Sequence, residues 1–187
     1  LLAALDERVP WLLREHMRLR LADPIEWATL VLRALWGDRC PPILPIACGQ
    51  TRLTTQDGRA HADELITALE LLLGPATEAG KVLWWTCAEL SHVGPAFGHD
   101  RLPDAAAVEA DDRDMLEPLL GGRPGELARR CMNRAAASRP SGAAALTTLA
   151  ELLPVGARAR LVDYRLLQPP GALPGWVGCP FVVVTGG

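Results

Sequence analysis

The chain has 187 residues, 49% hydrophobic and 22% charged, with a formal net charge of −3. That is enough apolar material for one well-buried core, and it supplies neither the basic surface that a nucleic-acid backbone needs nor a polybasic membrane anchor. Charge or proline interrupts each apolar run before the ~20 residues of a spanning helix. The five cysteines, Cys40, Cys48, Cys87, Cys131 and Cys179, are odd in number with no CxxC pair, so a cytoplasmic setting is expected and a disulfide framework is not.

In chain order, residues 2–21 read as a helix, with Leu2, Leu5, Val9, Leu12 and Leu13 at helical spacing and Pro10 as a kink. Asp23 as cap and Pro24 in the first turn open a second helix that runs to Gly37. The segment "PPILPIACG" is short and proline-bounded and reads as a buried strand at 43–48. "TTQDGRA" reads as a turn, and 62–73 as an amphipathic helix stopped by Gly74-Pro75. "KVLWWTC", 81–87, reads as a central strand because both of its faces are apolar, with Trp84 and Trp85 on opposite sides.

Three more helices follow, in "DAAAVEADDRDMLEPLL", "PGELARRCMNRAA" and "SGAAALTTLAELL", the last with Ser141 as its cap. Strands at 158–166 and 181–185 close the chain, flanking the loop "QPPGALPGWVG". This order predicts a single α/β domain over 1–187, with a mainly parallel central sheet flanked by helices. In such a sheet, ligands sit in the loops that leave the carboxyl ends of the strands, and 87–100, "CAELSHVGPAFGHD", is such a loop.

Glu89 and His92 stand three residues apart, so a helical turn brings the carboxylate to the imidazole, where it can orient or charge it. The plainer reading has His92 bonded to a loop carbonyl and Glu89 solvated. A zinc site from Cys87, His92 and His99 is a third reading, with a C-x4-H-x6-H spacing unlike the common structural zinc patterns. The run "DDRD" at 111–114 reads as a solvated helix face.

"ELSHVGPAFG" resembles the segment "DxSHxGxxFG" of the Memo family, the B component of the AmmeMemoRadiSam group, related in fold to the LigB-type class III extradiol dioxygenases. Other segments agree in the same order. "REHMRLRLADPIEW" is similar to the family's "EHSxExxLPFL", keeping Glu15 and His16, and "PILPIACG" to its "IVPILVG" strand. "NRAAASRPSG" stands where the family has Asn, Cys-Gly and Pro, while "LVDYR" and "FVVVTGG" resemble its last strands. The resemblance spans nearly the whole chain but only about the C-terminal two thirds of a family member, so the family's N-terminal third is expected to be lacking.

The resemblance implies a LigB/Memo-like fold in which His92 acts as acid/base beside a metal, with Glu89 in support and His16 reaching the same pocket. It also places Ala136 and Ala137 at the family's Cys-Gly, and an alanine methyl ligates no iron, copper or zinc. The expectation is therefore a Memo-like protein with a degenerate metal site and no cofactor, acting by binding a small molecule or as an accessory subunit in a homo- or hetero-oligomer. The alternative is a non-heme iron or copper oxidoreductase whose missing ligands come from an N-terminal segment or a partner chain. No nucleic acid or membrane partner is expected. Ser91, Ser138 and Ser141 lie outside any G-x-S-x-G nucleophile elbow, which gives a serine hydrolase no support.

Overall fold

A computed structural model of the chain describes residues 1–12, 22–49, 55–134, 141–154 and 156–185. Among these residues there are six α-helices: α1 (Leu2–Arg8), α2 (Asp23–Trp36), α3 (Gln56–Glu78), α4 (Ala105–Leu120), α5 (Pro124–Arg134) and α6 (Ala143–Leu152). Three strands, β1 (His92–Val93), β2 (Arg158–Leu167) and β3 (Trp176–Thr185), form one sheet in the order β1-β3-β2, antiparallel throughout. The expected parallel central sheet is thus replaced by a helical protein with a small antiparallel sheet.

The physical reasons are local. Only residues 168–175 separate β2 from β3, whereas a parallel crossover takes a dozen or more, so the two strands fold back as a hairpin. Their register runs from Arg158 opposite Thr185 to Leu167 opposite Val177, with an irregularity between Leu161 and Asp163. The stretch 43–48 forms no strand among the described residues; Pro41, Pro42 and Pro45 have no N–H to donate to a ladder. Leu44 and Ile46 from this stretch still pack against the core between α1 and α3. The stretch 81–87 likewise forms no strand among the described residues. Its burial alternates, Trp84 packing inward while Leu83 and Trp85 are 63% and 42% exposed, so the two tryptophans do face opposite ways but the strand is not central.

Helix boundaries depart from the sequence reading mostly at prolines. Helix α1 ends at Arg8, just before Pro10, and 13–21 lie outside the described residues. Asp23 is the first residue of α2 and not its cap, with Pro24 in the first turn as expected. Helix α3 starts earlier than 62, because Thr55 caps it by accepting from the Gly58 N–H at 3.0 Å. It also continues through Gly74-Pro75, where the Thr77 hydroxyl bonds the Leu73 carbonyl at 3.0 Å.

Two apolar clusters carry the packing. Leu5, Val9, Leu65, Ala68 and Leu69 join α1 to α3. Leu90, Met115, Leu116, Leu119, Leu127, Cys131, Leu146 and Ala150 join α4, α5 and α6, with Ala159, Leu161, Val182 and Val184 of the sheet laid against them. Helix α6 links the two clusters, since its Leu152 packs on the first and its Ala150 belongs to the second. No helix of the described residues is long and apolar enough to cross a membrane.

Candidate functional site

The segment that leaves 81–87 meets the sheet only at its end. Leu90 N–H donates to the Gly178 carbonyl at 2.8 Å, and Gly178 N–H to the Ser91 carbonyl at 3.0 Å. One step earlier, the Glu89 carbonyl accepts from Gly142 N–H at 3.3 Å, so the turn before α6 occupies the place a longer strand would use. After β1 the chain turns on Gly94 (φ 106°) and Gly98 (φ 82°). Gly94 is needed on two counts. Its φ disfavours an L side chain, and a Cβ there would lie 2.9 Å from Leu102 Cδ1 and 3.0 Å from Gly175 Cα.

This geometry brings Glu89 and His92 together. His92 Nε2 lies 3.1 Å from Glu89 Oε2, and His92 Nδ1 lies 3.1 Å from the Leu90 carbonyl. Both partners accept, so the ring donates to one as a neutral tautomer and to both only when doubly protonated. Phe97 sets its ring edge-on to the imidazole, with centroids 5.0 Å apart, and Ser141 Oγ reaches the same Glu89 oxygen at 3.4 Å. Ser141 therefore does not cap α6 as expected. The His92 side chain is 15% exposed and that of Glu89 53%, which leaves the carboxylate open to an incoming donor. The ring thus lies within hydrogen-bond reach of both the loop carbonyl and the Glu89 carboxylate.

Beneath the pair lies a group that the sequence reading assigned to solvent. Asp112, on α4, is 3% exposed. Its Oδ1 accepts from the Ser91 hydroxyl at 2.6 Å and the Ser91 N–H at 3.2 Å, and its Oδ2 from the Tyr164 hydroxyl at 2.7 Å. Burial holds the Asp112 carboxyl above its ordinary range, against the lowering effect of the Ser91 and Tyr164 hydrogen bonds. Burial and the Asp112 carboxylate push the Tyr164 hydroxyl up in turn. The Cys179 thiol on β3 is also raised, first by burial and then by the charges of Glu89 and Asp112, which makes it a poor nucleophile at neutral pH.

The correction to "DDRD" had a signal in the sequence. Val108, Met115, Leu116 and Leu119 are the buried stripe of α4, and Asp112 stands four residues from both Val108 and Leu116, in phase with that stripe. Asp111 and Asp114 are out of phase and exposed. A carboxylate on an apolar stripe requires donors, and Ser91 and Tyr164 supply them from segments 21 and 52 residues away.

The remaining candidates separate. His16, expected to share the pocket, lies outside the described residues, as do Ala136 and Ala137. His99 Nδ1 accepts from Gly94 N–H at 3.0 Å and is spent on holding the turn. Exposed Cys87 has its sulfur 3.2 Å from Trp85 Nε1. Among the described residues no three His, Cys, Asp or Glu side chains are grouped to hold a metal ion. His61 lies inside α3, stacked on Trp11 with centroids 4.4 Å apart. Trp176 begins β3, and its indole N–H bonds the Pro103 carbonyl at 3.1 Å.

Two surface concavities lie away from this pair. One, of ≈ 600 Å³, is lined by Arg8, Asp63, Glu64, Thr67 and Leu71, and the other, of ≈ 270 Å³, by Glu70, Glu78, Trp84 and Leu152. Neither is lined by Glu89 or His92. Compared with family models, curated proteins and solved structures, the chain matches none.

Proposed function

We propose that this protein works by binding a small molecule at the Glu89–His92 pair, as a Memo-like chain whose metal site has degenerated, and that it does so in the cytoplasm. One observation carries the reading. A solvent-facing carboxylate is held in place by an imidazole and a hydroxyl, and the turn that supplies the imidazole rests on the buried Ser91–Asp112–Tyr164 network. One Glu89 oxygen is occupied by His92 and Ser141, and the other is available to a ligand N–H or O–H donor. Phe97 beside the ring offers an apolar edge for the ligand's body. The resemblance of "ELSHVGPAFG" to the Memo segment falls on these same residues and supports the location of the site. The thiols of all five cysteines, none in a disulfide, suit a reducing compartment.

The test is a screen of small amines, phenols and hydroxy acids by amide-proton NMR. Ligands are expected to shift the signals of Glu89, His92, Phe97 and Ser141, and to bind at least about tenfold more weakly to Glu89→Gln and His92→Ala, a loss of ~1.4 kcal/mol. Ligands that bind elsewhere, or with affinity unchanged in both variants, overturn the reading.

A further inference from the structure

The sheet lays one face on the core, and its register decides which residues share the other. Ala159, Leu161, Val182 and Val184 pack inward, so the alternate residues of β3, among them Val177 and Cys179, lie on the outer face. Pairing carries that face sideways. His92 stands opposite Val177 and Val177 opposite Leu167, while Cys179 stands opposite Arg165. Glu89 joins them through an irregularity: Leu90 N–H donates to the Gly178 carbonyl and Gly178 N–H to the Ser91 carbonyl, so two residues oppose one, as in a β-bulge. Leu90 and Ser91 both turn inward, the first into the cluster with Leu116 and the second onto Asp112. Glu89 and His92, on either side of them, therefore both face outward and meet at 3.1 Å.

The outer face thus carries a carboxylate beside β1 and a guanidinium on β2, with β3 between them. Their backbones are two strand spacings apart, roughly 9.5 Å. The ground between is apolar, since Leu167 is 51% exposed and Val177 and Cys179 are half-buried. Phe97 walls the His92 end, seated over Gly175, where a Cβ would lie 2.9 Å from Phe97 Cε2. The Arg165 side chain is 73% exposed, and among the described residues its partner is Asp163, which its Nε meets at 2.8 Å; the two terminal nitrogens are left for an anion. Exposed pairs of this kind are weak, so a ligand carboxylate can share the guanidinium. We infer that the ligand of the Glu89–His92 site is a small zwitterion, its ammonium on Glu89, its carboxylate on Arg165, and the apolar chain between them over Val177 and Leu167. The inference rests on Glu89 as the acceptor of a ligand donor, and it adds what stands at the ligand's far end. A simple amine leaves Arg165 unused. A simple carboxylate meets the like charge of Glu89.

Amide-proton NMR titration of the full chain compares 6-aminohexanoate, whose charges stand roughly 7 Å apart when extended, with hexylamine and hexanoate, which carry one charge each. The zwitterion is expected to bind at least about fivefold more tightly than either and to shift the signals of Glu89, His92, Val177, Arg165 and Leu167. Arg165→Leu, at an exposed position, is expected to weaken 6-aminohexanoate about fivefold and to leave hexylamine within about twofold. Asp163→Asn separates a binding role from a structural one. It removes the competing charge while keeping an acceptor for the Tyr164 N–H, which Asp163 bonds at 2.9 Å, so 6-aminohexanoate should bind as tightly as before or more so. Hexylamine or hexanoate binding as tightly as the zwitterion, indifference to Arg165→Leu, or equal losses in Arg165→Leu and Asp163→Asn overturns this inference alone, provided that Glu89→Gln still weakens hexylamine. Probes that fail to bind, or that bind with affinity unchanged by Glu89→Gln, overturn both this inference and the site it rests on.

Discussion

Asp112 gives the sharpest test of how the Glu89–His92 turn is held. Asp112→Ala removes the acceptor of three donors: the Ser91 hydroxyl, the Ser91 N–H and the Tyr164 hydroxyl. Ser91 is 2% exposed and cannot turn to water, whereas Tyr164 is only partly buried and recovers some hydration. An orphaned buried donor costs about 1–3 kcal/mol, and relief of the carboxylate's own desolvation offsets part of the sum, so the expected net loss is about 3 kcal/mol. Asp112→Asn keeps an acceptor for Ser91 and presents an amide to Tyr164, which can accept in return; its expected loss at pH 7 is about 1 kcal/mol. Urea unfolding followed by circular dichroism measures both.

The same pair of proteins tests the electrostatics. Burial raises the native Asp112 pKa above the ordinary value of 3.8. The folded state therefore holds this proton more tightly than the unfolded chain. The associated stability is complete below 3.8 and is lost as pH rises through the raised native value. Asparagine does not titrate, and all other groups are common to both proteins. Wild-type stability relative to Asp112→Asn should thus fall as pH rises across the window above 3.8, then level off. A gap that stays flat or widens in favour of the wild type refutes the reasoning, as does an Asp112→Ala loss below about 1 kcal/mol.

Gly178→Ala would drive a methyl into the Asp112 carboxylate and within 2.9 Å of the Tyr164 hydroxyl, so it should cost about 2–3 kcal/mol. Combined with Asp112→Ala it should cost less than the sum by about 1 kcal/mol or more, because the smaller side chain leaves room; strict additivity in a double-mutant cycle contradicts the contact. Thiol labelling of the native protein should modify exposed Cys87 first and reach Cys131, fully buried with its thiol pushed up to about 11, only on unfolding. Mass spectrometry finding Cys131 labelled early would contradict the packing of α5 on α6. Zinc affinity should change by less than about threefold in Cys87→Ala, His92→Ala or His99→Ala, since these groups are engaged separately; a loss of ~1.4 kcal/mol or more in all three would restore a shared site.

Much of the helical structure was legible because the information is local. The periodicity of 105–120 and the Asp104 cap, which accepts from Ala106 and Ala107 N–H, lie within a few residues of one another, and α4 forms where they indicate. The same holds for Pro24 in the first turn of α2. The Glu89–His92 contact forms without the helical turn that the spacing suggested: Leu90 and Ser91 bond Gly178 at the sheet, and the chain turns only after β1, at Gly94 and Gly98. Even Asp112 was marked by its phase on α4, although its acceptor role needed Ser91 and Tyr164 from elsewhere.

Strand pairing was not legible, because an extended segment becomes part of a sheet only through hydrogen bonds to a distant one. "KVLWWTC" and "RLVDYRLL" both carry β-branched and aromatic residues, yet only the second finds a ladder among the described residues. The short connection to β3 holds a partner beside β2, whereas the Glu89 carbonyl at the end of the other segment is taken by Gly142 N–H. Local sequence thus determined which stretches are helical. Tertiary structure decided which extended stretches pair, that the pairing is antiparallel, and which carboxylate is buried, since each depends on donors and acceptors brought from segments far apart in the chain.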